Sequence, residues 1–453
     1  MEIAITLRCW AVLTFGFLCV ASLCSDLLAQ QASETVKYSF QGNADGAVPY
    51  GLTLDKNGNG YGTTQLRGTG PCSSTYQSCG TVFEVTPVRN SSGAPTGGWN
   101  KRVIYTFKGG TDGANPYAAL VADDTGNLFG TTTDGGGTAC GGFGCGTVFE
   151  LQQVNGHWSE TVLYRFTGGA DGGTPESPVT LDTSGNIFGT TYNGGLRVCN
   201  GKFPCGVVYE LQHTSSGWKE IVLHSFDFKD GSQPIGGLVF DSSGNLFGTT
   251  PYGGLPYPPE GGGTIFGLRP GKSGWQFAVL YNFPQLNGGP TATMTLDAQG
   301  NLYGVANGGG SFGYGSVFEL QRPGQGKTAW NLTTLYSFTL GRDGGFPYGG
   351  VVFDRAGNLY GTTSAGGTIG PCQAGCGVVF KLAPSAGYWG QSVLYSFQGA
   401  ADGINPNSTP VLDSWGNLYG TTAYGGDTSC VPFPNYSGCG TVFRIGHAAA
   451  ETN

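Results

Sequence analysis

Charged residues are scarce in this chain. They make up 11% of its 453 residues, and 21 Lys and Arg stand against 29 Asp and Glu. So small a charged fraction leaves few residues for solvated helical faces, and no segment shows a 3.6-residue hydrophobic period of useful length. The acidic balance argues against nucleic acid as a partner, and the chain has no basic cluster that would hold an anionic lipid surface.

Long hydrophobic runs are absent after the first thirty residues, so we expect no transmembrane span in the mature chain. Arg8 precedes an apolar run from Cys9 to Leu23, which is typical of a signal-peptide core and short for a membrane span. We predict a signal peptide over residues 1–29, although Leu27 is large for its place near the cleavage site. The alternative is a lipoprotein modified at Cys24, whose flanking residues lack the usual motif. In both cases we expect a secreted or cell-envelope (periplasmic) protein.

Glycine, by contrast, is abundant, with 84 residues, and much of it belongs to one repeated phrase. The segment Leu54–Thr64 returns six more times almost unchanged, at intervals of about 58 residues. Its copies contain, in order, Asp55, Asp123, Asp182, Asp241, Asp297, Asp354 and Asp413. Such a period indicates a repeat architecture, and we predict one domain over residues 30–447 followed by a short tail, 448–453.

Each repeat contains four short runs with the composition of β-strands. In the region of the second copy these runs are Arg102–Phe107, Ala119–Ala122, Asn127–Thr132 and Thr147–Leu151. The Asp-x-x-Gly-Asn sequence between the second and third strands of a repeat predicts a tight hairpin turn, because Asp can accept hydrogen bonds from the following backbone and Gly adopts positive φ freely. We therefore predict an all-β protein.

Four antiparallel strands repeated seven times predict a seven-bladed β-propeller. The small, apolar strand after Pro suits the inner position beside the channel, and the strand that ends in Tyr-Ser-Phe suits the outer edge. The mature chain begins with an outer-type strand, Thr35–Phe40, and its last strand, Gly440–Ile445, is of the third-position type. We predict that these two strands share one blade and close the ring, which removes an exposed sheet edge.

Ten cysteines follow the signal region, and they come in pairs within one loop of the repeat. The pairs are Cys72 and Cys79, Cys140 and Cys145, Cys199 and Cys205, Cys372 and Cys376, and Cys430 and Cys439. Two repeats lack both members of the pair, which is typical of local disulfides in an exported protein. The alternative is metal binding by a Cys-x-x-x-Cys pair such as Cys372 and Cys376, but zinc needs about four ligands and no second pair lies in the same blade.

The repeated phrases Gly-Asn-Leu-Tyr-Gly-Thr-Thr, Gly-x-Val-Phe-x-Leu and Leu-Tyr-Ser-Phe resemble the GloVer (Gloeo/Verruco) tandem repeat of exported bacterial proteins. The resemblance covers about nine-tenths of the chain. It implies secretion and a propeller-like repeat architecture, and the family has no assigned activity. Family members are often described as having C-terminal anchors, whereas residues 446–453 contain no hydrophobic sorting tail. Anchoring by that route is therefore not expected.

An Asp-Gly sequence precedes the inner strand in six blades, with Asn287 in the remaining one. The aspartates are Asp45, Asp112, Asp171, Asp230, Asp343 and Asp402. Their carboxylates could bind Ca²⁺, which prefers six to eight oxygen ligands. The interpretation that we prefer is a turn in each blade, because Asn replaces Asp in a turn at little cost. We expect no cofactor.

Positions that vary between otherwise similar blades are the candidates for ligand recognition. The residues that follow the loop Pro, at the predicted channel mouth, are Tyr50, Tyr117, Glu176, Ile235, Thr291, Tyr348 and Asn407. A second variable set precedes the Gly-Gly pair after the Gly-Thr-Thr strand, and it comprises Asp134, Asn193, Tyr252, Asn307, Ala365 and Tyr424. If both sets face one mouth, they form a cup of aromatic rings and amides suited to a glycan or a peptide. At each position, filling the space between blades is the competing interpretation.

The sequence favours binding over catalysis. The four histidines are His157, His213, His224 and His447. None is placed to act as a base or metal ligand at the mouth. We therefore expect an exported monomeric binding propeller that acts through its disulfide-bearing face. The alternatives are a metal-assisted hydrolase or lyase for sugars or lactones acting through Glu176, with Asp134 as a second carboxylate, and a purely structural envelope protein.

Overall fold

The repeated Asp-x-x-Gly-Asn sequence forms the same turn in every blade. In the second blade the Asp123 carboxylate accepts hydrogen bonds from the backbone N–H groups of Thr125 and Asn127, both at 2.9 Å, and from the Asn127 side chain at 3.0 Å. Gly126 lies at a φ of 91°, which a residue with a Cβ rarely adopts. The aspartates are therefore used within the turn, as the sequence predicts.

A computed structural model describes residues 34–446, except for 71, 73–78, 93–94, 200–202, 256–260, 285–287, 369, 371 and 434–435. The predicted signal peptide over 1–29, including Cys24, lies outside the described residues. So do Asn287, His447 and the predicted tail over 448–453. These assignments stay predictions.

The described residues form thirty-one strands and two short 3-10 helices, Asn43–Asp45 and Cys140–Gly142. In chain order the first strands are β1 (Glu34–Ser39), β2 (Ala47–Leu54), β3 (Gly60–Leu66), β4 (Thr81–Arg89), β5 (Pro95–Thr106), β6 (Val121–Ala122), β7 (Leu128–Thr132), β8 (Thr147–Val154), β9 (His157–Arg165), β10 (Thr180–Leu181), β11 (Ile187–Thr191), β12 (Val198–Cys199), β13 (Phe203–Pro204), β14 (Val207–Thr214) and β15 (Gly217–Ser225). The others are β16 (Val239–Phe240), β17 (Leu246–Thr250), β18 (Thr264–Gly271), β19 (Gly274–Asn282), β20 (Thr295–Leu296), β21 (Leu302–Ala306), β22 (Ser316–Gln321), β23 (Asn331–Ser337), β24 (Val352–Phe353), β25 (Leu359–Thr363), β26 (Val378–Ser385), β27 (Tyr388–Ser396), β28 (Ile404–Pro406), β29 (Val411–Leu412), β30 (Leu418–Tyr424) and β31 (Thr441–Ile445).

These strands build the predicted seven-bladed propeller. From the inner to the outer strand, blades 1 to 6 are β2–β5, β6–β9, β10-β11-β14-β15, β16–β19, β20–β23 and β24–β27. Strands β12 and β13 form a separate hairpin inside the disulfide loop of blade 3. Every ladder within a blade is antiparallel.

The seventh blade closes the ring with both ends of the chain. Strands β28 and β29 pair with β30, β30 pairs with β31, and the N-terminal strand β1 pairs with β31 on the outside. In this ladder Tyr38 lies opposite Val442 and Glu34 lies opposite Ile445. The predicted closure is confirmed.

Two strand types differ in length from the sequence prediction. In blade 2 the inner strand is only Val121–Ala122, whereas the sequence predicts Ala119–Ala122. The outer strands begin earlier than predicted: β5 starts at Pro95 and ends at Thr106, whereas the sequence predicts Arg102–Phe107. Their first halves alternate between exposed and partly buried residues, and a Trp such as Trp158 packs against the core. Hydrogen bonds to the neighbouring strand hold this part of each outer strand.

The Gly-Thr-Thr phrase is explained by three different contacts. A Cβ atom on Gly130 would lie 2.6 Å from Cζ of Phe149, so only Gly leaves room for the ring. The Thr131 hydroxyl donates to the Ser177 carbonyl of the next blade at 3.0 Å, and the Thr132 hydroxyl bonds that of Thr147 in its own blade at 2.8 Å. The phrase therefore holds a blade together and joins it to the next.

A pair of aromatic rings packs between each blade and the next. The Phe that directly follows each outer strand contacts the aromatic ring of the Gly-x-Val-Phe strand of the following blade, with centroids 5.0–5.5 Å apart in edge-to-face geometry. Phe107 and Phe149, for example, are both fully buried. Such pairs contribute about 0.5–1.5 kcal/mol each beyond the area they bury.

We predict that Gly146→Ala destabilises the fold much more than Gly156→Ala. Both glycines have positive φ, 90° and 79°, so Ala costs each about 1–2 kcal/mol in backbone strain. At Gly146 the new Cβ would also lie 2.3 Å from the Thr132 carbonyl oxygen and 2.6 Å from Cδ of Pro175, whereas at Gly156 nothing lies within 4 Å. Thermal unfolding of the two variants measures the difference; equal losses of stability would contradict this account of the contact between blades.

Candidate functional site

In five blades the loop that enters the inner strand is held by the disulfide loop of the preceding blade. The Thr174 N–H donates to the Cys145 carbonyl at 2.7 Å, and the Val48 N–H donates to the Cys439 carbonyl at 3.0 Å. Both residues have positive φ, 53° and 57°, which is an uncommon conformation for β-branched residues. The equivalent residues with positive φ in other blades are Asn115, Gln233, Phe346 and Asn405. This anchor sets the position of the Pro and of the variable residue that follow.

All seven variable residues after the loop Pro line one cavity at the channel. They are Tyr50, Tyr117, Glu176, Ile235, Thr291, Tyr348 and Asn407. The cavity has a volume of about 90 Å³, and small residues such as Ala119, Pro178, Thr293 and Thr409 form its remaining wall. The equivalent register in seven blades thus brings these side chains together from across the whole chain.

Three tyrosines gather on this ring. The rings of Tyr50 and Tyr117 lie with centroids 4.2 Å apart and planes tilted by 34°. Tyr50 is buried, and burial is the main cause that raises its pKa, with the neighbouring hydroxyls of Tyr117 and Tyr348 adding to it. Burial and the nearness of Tyr117 and Glu176 raise the pKa of Tyr348 as well. Tyr50 and Tyr348 therefore stay protonated, and the three tyrosines offer both hydroxyl groups and aromatic faces.

Glu176 is the acidic group of the cavity. Burial, followed by electrostatic repulsion from Asp134, raises its pKa from 4.5 to about 7. A carboxyl group with this pKa exchanges its proton near neutral pH. On the other side of the ring, the Asn407 Oδ1 atom is buried and finds no hydrogen-bond partner among the residues that the structure describes. The cavity thus contains a carboxyl group, Glu176, that titrates near neutral pH, and an amide oxygen, Asn407 Oδ1, that is available to accept a hydrogen bond from a ligand.

The second variable set does not line the cavity. The Asp134 carboxylate accepts a hydrogen bond from the Asn115 side chain at 2.8 Å, and the Asn193 side chain donates to the Thr174 hydroxyl at 3.4 Å. Asp134 still affects the pKa of Glu176. We conclude that Asp134 and Asn193 lie around the mouth and hold the loops that lead into the inner strands.

The aromatic members of that set are more accessible. Tyr252 is 44% exposed, and Tyr424 stacks on Tyr436 with centroids 4.2 Å apart. Burial and its interactions with Tyr436 and Tyr117 raise the pKa of Tyr424 to about 12. Tyr424 is thus close enough to Tyr117 of the channel ring to interact with it electrostatically.

Asn307 does not share the register of its set. Its N–H donates to the Gly289 carbonyl, as the N–H of Tyr192 donates to the Thr174 carbonyl. Asn307 is therefore equivalent to Tyr192, one position before Asn193. The alignment on Gly-Gly is wrong in this blade because Gly308-Gly309-Gly310 offers two glycine pairs. The Asn307 side chain donates to the Pro347 carbonyl of the next blade at 3.3 Å.

Sequence reasoning missed Tyr192 and the exposed apolar residues of the neighbouring loops. The pKa of Tyr192 is raised to about 12 by burial and by Glu176 and Tyr252, which places this residue between the two sets. The exposed large apolar residues of the loops between the second and third strands of the blades are Phe143, Leu196, Leu255, Phe312, Val431, Phe433 and Tyr436. A comparison of the copies at the position directly after Gly-Thr-Thr would have identified Tyr192.

The Asp-Gly aspartates form hydrogen bonds with the end of the outer strand that precedes them in the chain. The Asp112 carboxylate accepts hydrogen bonds from the Tyr105 hydroxyl at 3.0 Å and from the Lys108 N–H at 2.7 Å. The same pattern recurs at Asp45, Asp171, Asp343 and Asp402. No group of three or more His, Cys, Asp or Glu side chains that could hold a metal ion occurs in the part of the chain that the structure describes.

The predicted cysteine pairs form five local disulfides. Their Cα atoms are 5.3–5.8 Å apart, within the usual range. The disulfides fasten the loops whose carbonyl groups anchor the next inner strand.

Of the described helices, none has the length and hydrophobicity needed to cross a bilayer.

We predict that Glu176→Gln removes one part of the pH dependence of stability. The folded-state pKa of about 7 lies above the ordinary 4.5, so the native state binds an extra proton between these values. The stabilisation is complete below pH 4.5 and is lost as the pH rises through 7, an effect on the order of 2–3 kcal/mol. The thermal midpoint of the variant, relative to wild type, should therefore rise between pH 5 and pH 8. A constant difference across that range would contradict the prediction.

Three solved structures with similar folds have low sequence identity to this chain. The extracellular domain of a one component system from B. thetaiotaomicron has a TM-score of 0.52 at 10% identity, and the match covers 92% of this chain and 40% of that one. A 6-phosphogluconolactonase from Bacteroides uniformis has a TM-score of 0.46 at 14% identity, over 78% and 87% of the two chains. A protein of unknown function from Dyadobacter fermentans has a TM-score of 0.44 at 12% identity, over 92% and 100%.

The likeness to the first of these structures concerns the fold alone. This chain spans two fifths of the length of the first structure. No curated protein matches the sequence. The repeat family described as the Gloeobacter/Verrucomicrobia repeat matches residues 27–203 and 195–430. Because these matches cover most of the propeller, the chain belongs to the Gloeobacter/Verrucomicrobia repeat family.

Proposed function

We propose that this chain is an exported, non-catalytic binding propeller that holds a glycan or a peptide at the channel mouth. The observation that carries the proposal is the convergence of seven variable residues of one register on a single cavity. The blades are otherwise nearly identical, so the fold alone does not require different residues after the loop Pro. Recognition of a ligand gives a reason for the variation.

The chemistry of the mouth suits a ligand rich in hydroxyl or amide groups. Tyr117 and Tyr348 supply hydroxyl groups and ring faces, and the Asn407 Oδ1 atom supplies an acceptor that the protein leaves unused. Aromatic faces beside hydrogen-bonding groups are the common composition of sugar and peptide sites. A cavity of about 90 Å³ admits one small group, so the rest of the ligand would lie over the surrounding loops.

The proposed location outside the cytoplasm rests on the disulfides. Five of seven blades carry one, and disulfides are rare in reducing compartments. The predicted signal peptide agrees with this location. The preformed disulfide loops would also lower the entropy lost when a ligand binds.

We expect glycan-array and peptide-array screening of the purified protein to yield a ligand whose binding depends on the tyrosine ring. Tyr117→Ala should weaken binding at least about tenfold, or 1.4 kcal/mol, because it removes both a hydroxyl group and a stacking face. Calorimetric titration measures the change, and Tyr117→Phe separates the two contributions.

The matched control is Tyr388→Ala, since Tyr388 is 65% exposed on the outer hairpin of blade 6. This variant should bind as wild type does. Equal affinity of the Tyr117 and Tyr388 variants would place the ligand away from the channel. The absence of any ligand in both arrays would leave the structural role in the envelope as the better proposal.

The hydrolase is a second candidate because Glu176 has the pKa of a general acid. Under this alternative, sugar or lactone substrates would be turned over, Glu176→Gln would abolish turnover while retaining binding, and chelators would reveal any metal requirement. Binding without turnover, unchanged by chelator, supports the non-catalytic proposal.

A further inference from the structure

Each outer strand of the propeller brings one side chain against the preceding blade. This seam position lies opposite the last apolar residue of the neighbouring strand, as Glu160 lies opposite Leu151. Across the seam, the preceding blade presents a hydrogen-bonded pair formed by its outer-strand Tyr or His and the Asp of Asp-Gly. The pairs are Tyr38–Asp45, Tyr105–Asp112, Tyr164–Asp171, His224–Asp230, Tyr336–Asp343 and Tyr395–Asp402.

Four of the seven seams place a complementary or neutral side chain at this position. The ammonium group of Lys101 forms a buried ion pair with Asp45. The ring of Phe277 stacks on His224 at 3.6 Å with an interplanar angle of 4°. Gln391 donates to the Asp343 carbonyl at 3.2 Å. Leu332 occupies the position between blades 4 and 5, in the cluster that contains Tyr281.

The other three seams place a glutamate against the aspartate. The seam residues are Glu160 toward Asp112, Glu220 toward Asp171, and Glu34 toward Asp402. Each glutamate is partly buried, and each has one buried Oε1 atom without a hydrogen-bond partner among the described residues. Two ionised carboxylates in such a place repel each other, and a proton on one of them removes the repulsion.

The other charged groups at these seams are few. Glu160 interacts with Arg165, Lys108 and the Tyr105 hydroxyl. Glu34 interacts with Lys37 and Tyr395. Glu220 interacts with the hydroxyl groups of Tyr164 and Tyr209. None of the cations forms a salt bridge with these glutamates in the part of the chain that the structure describes.

We propose that the Glu160–Asp112, Glu220–Asp171 and Glu34–Asp402 seams each hold a proton in the folded protein, and that its release as the pH rises through neutrality loosens the contacts between blades 1 and 2, 2 and 3, and 6 and 7. The seams of Lys101, Leu332 and Gln391 do not respond, because none of them places a second carboxyl group against the preceding blade. The ring is thus built with three seams that lose a proton and three such seams that do not.

The direction of the effect follows from the proton balance. Burial, followed by repulsion from the facing aspartate, raises the pKa of all three glutamates from 4.5 to about 7. The folded state therefore binds more protons than the unfolded chain between these values. The stabilisation is complete below pH 4.5 and is lost as the pH rises through 7.

The first test compares thermal unfolding of wild type with the triple variant Glu34→Gln, Glu160→Gln, Glu220→Gln. Between pH 5 and pH 8 the midpoint of wild type should fall by about 3–6 °C more than that of the variant, because amides cannot ionise. Glu176 contributes equally to both proteins. The matched control is Glu150→Gln, whose carboxylate accepts a hydrogen bond from Gln152 on the same strand and should leave the wild-type pH dependence unchanged. Parallel pH profiles of wild type and triple variant would overturn the proposal.

The second test needs no variant. Hydrogen exchange, corrected for its intrinsic pH dependence, should show loss of protection between pH 5.5 and pH 8 in β1, β9 and β15. Strands β23 and β27, whose seams place Leu332 and Gln391 against the preceding blade, are the internal controls. Uniform change over all outer strands would overturn the proposal. So would a calcium-dependent gain of stability at pH 8 that the triple variant lacks, since the seams would then bind a cation in place of a proton.

Discussion

The contact between one blade and the next is the constraint on which the rest of this protein depends. A single four-stranded blade exposes two faces, and the buried aromatic pairs, such as Phe107 with Phe149, lie between blades and not within one. Gly146 permits the close approach of Pro175 at the boundary between blades 2 and 3. The pairing of β1 with β31 completes the circle, so that every blade has two neighbours. The repeated glycines and aromatic residues therefore serve contacts that no isolated repeat could make.

The same boundary builds the channel mouth. A disulfide loop of one blade accepts a hydrogen bond from the loop that leads into the next inner strand, and this bond fixes the residue after Pro at the channel. The equivalent loops of all seven blades bring seven side chains of five residue types to one place. Stability and recognition use adjacent positions of the repeat: the glycines and paired aromatic residues of the boundary are nearly constant among the blades, and the residues that reach the channel vary.

The agreement between sequence prediction and structure depends on the kind of signal. The ring from Tyr50 to Asn407 was predictable because a Pro marks its register in every blade. Asn307 was assigned wrongly because three consecutive glycines leave the register ambiguous. Tyr192 was missed although its position is marked as clearly. The short inner strands, such as Val121–Ala122, also escaped prediction, because residues can be apolar and buried beside the channel without forming a ladder.

The sequence by itself determined the number of blades, the strand order, the closure and the pairing of cysteines, because each is written locally and repeated seven times. Only the tertiary structure decided which side chains meet across blades. Glu160 and Asp112 lie in different blades, and the sequence around neither residue indicates that the other lies close to it. The convergence of Tyr50, Tyr117 and Tyr348 likewise depends on the curvature of the whole ring. A repeat specifies its own contacts; the distance between residues of different repeats is set by how the blades pack.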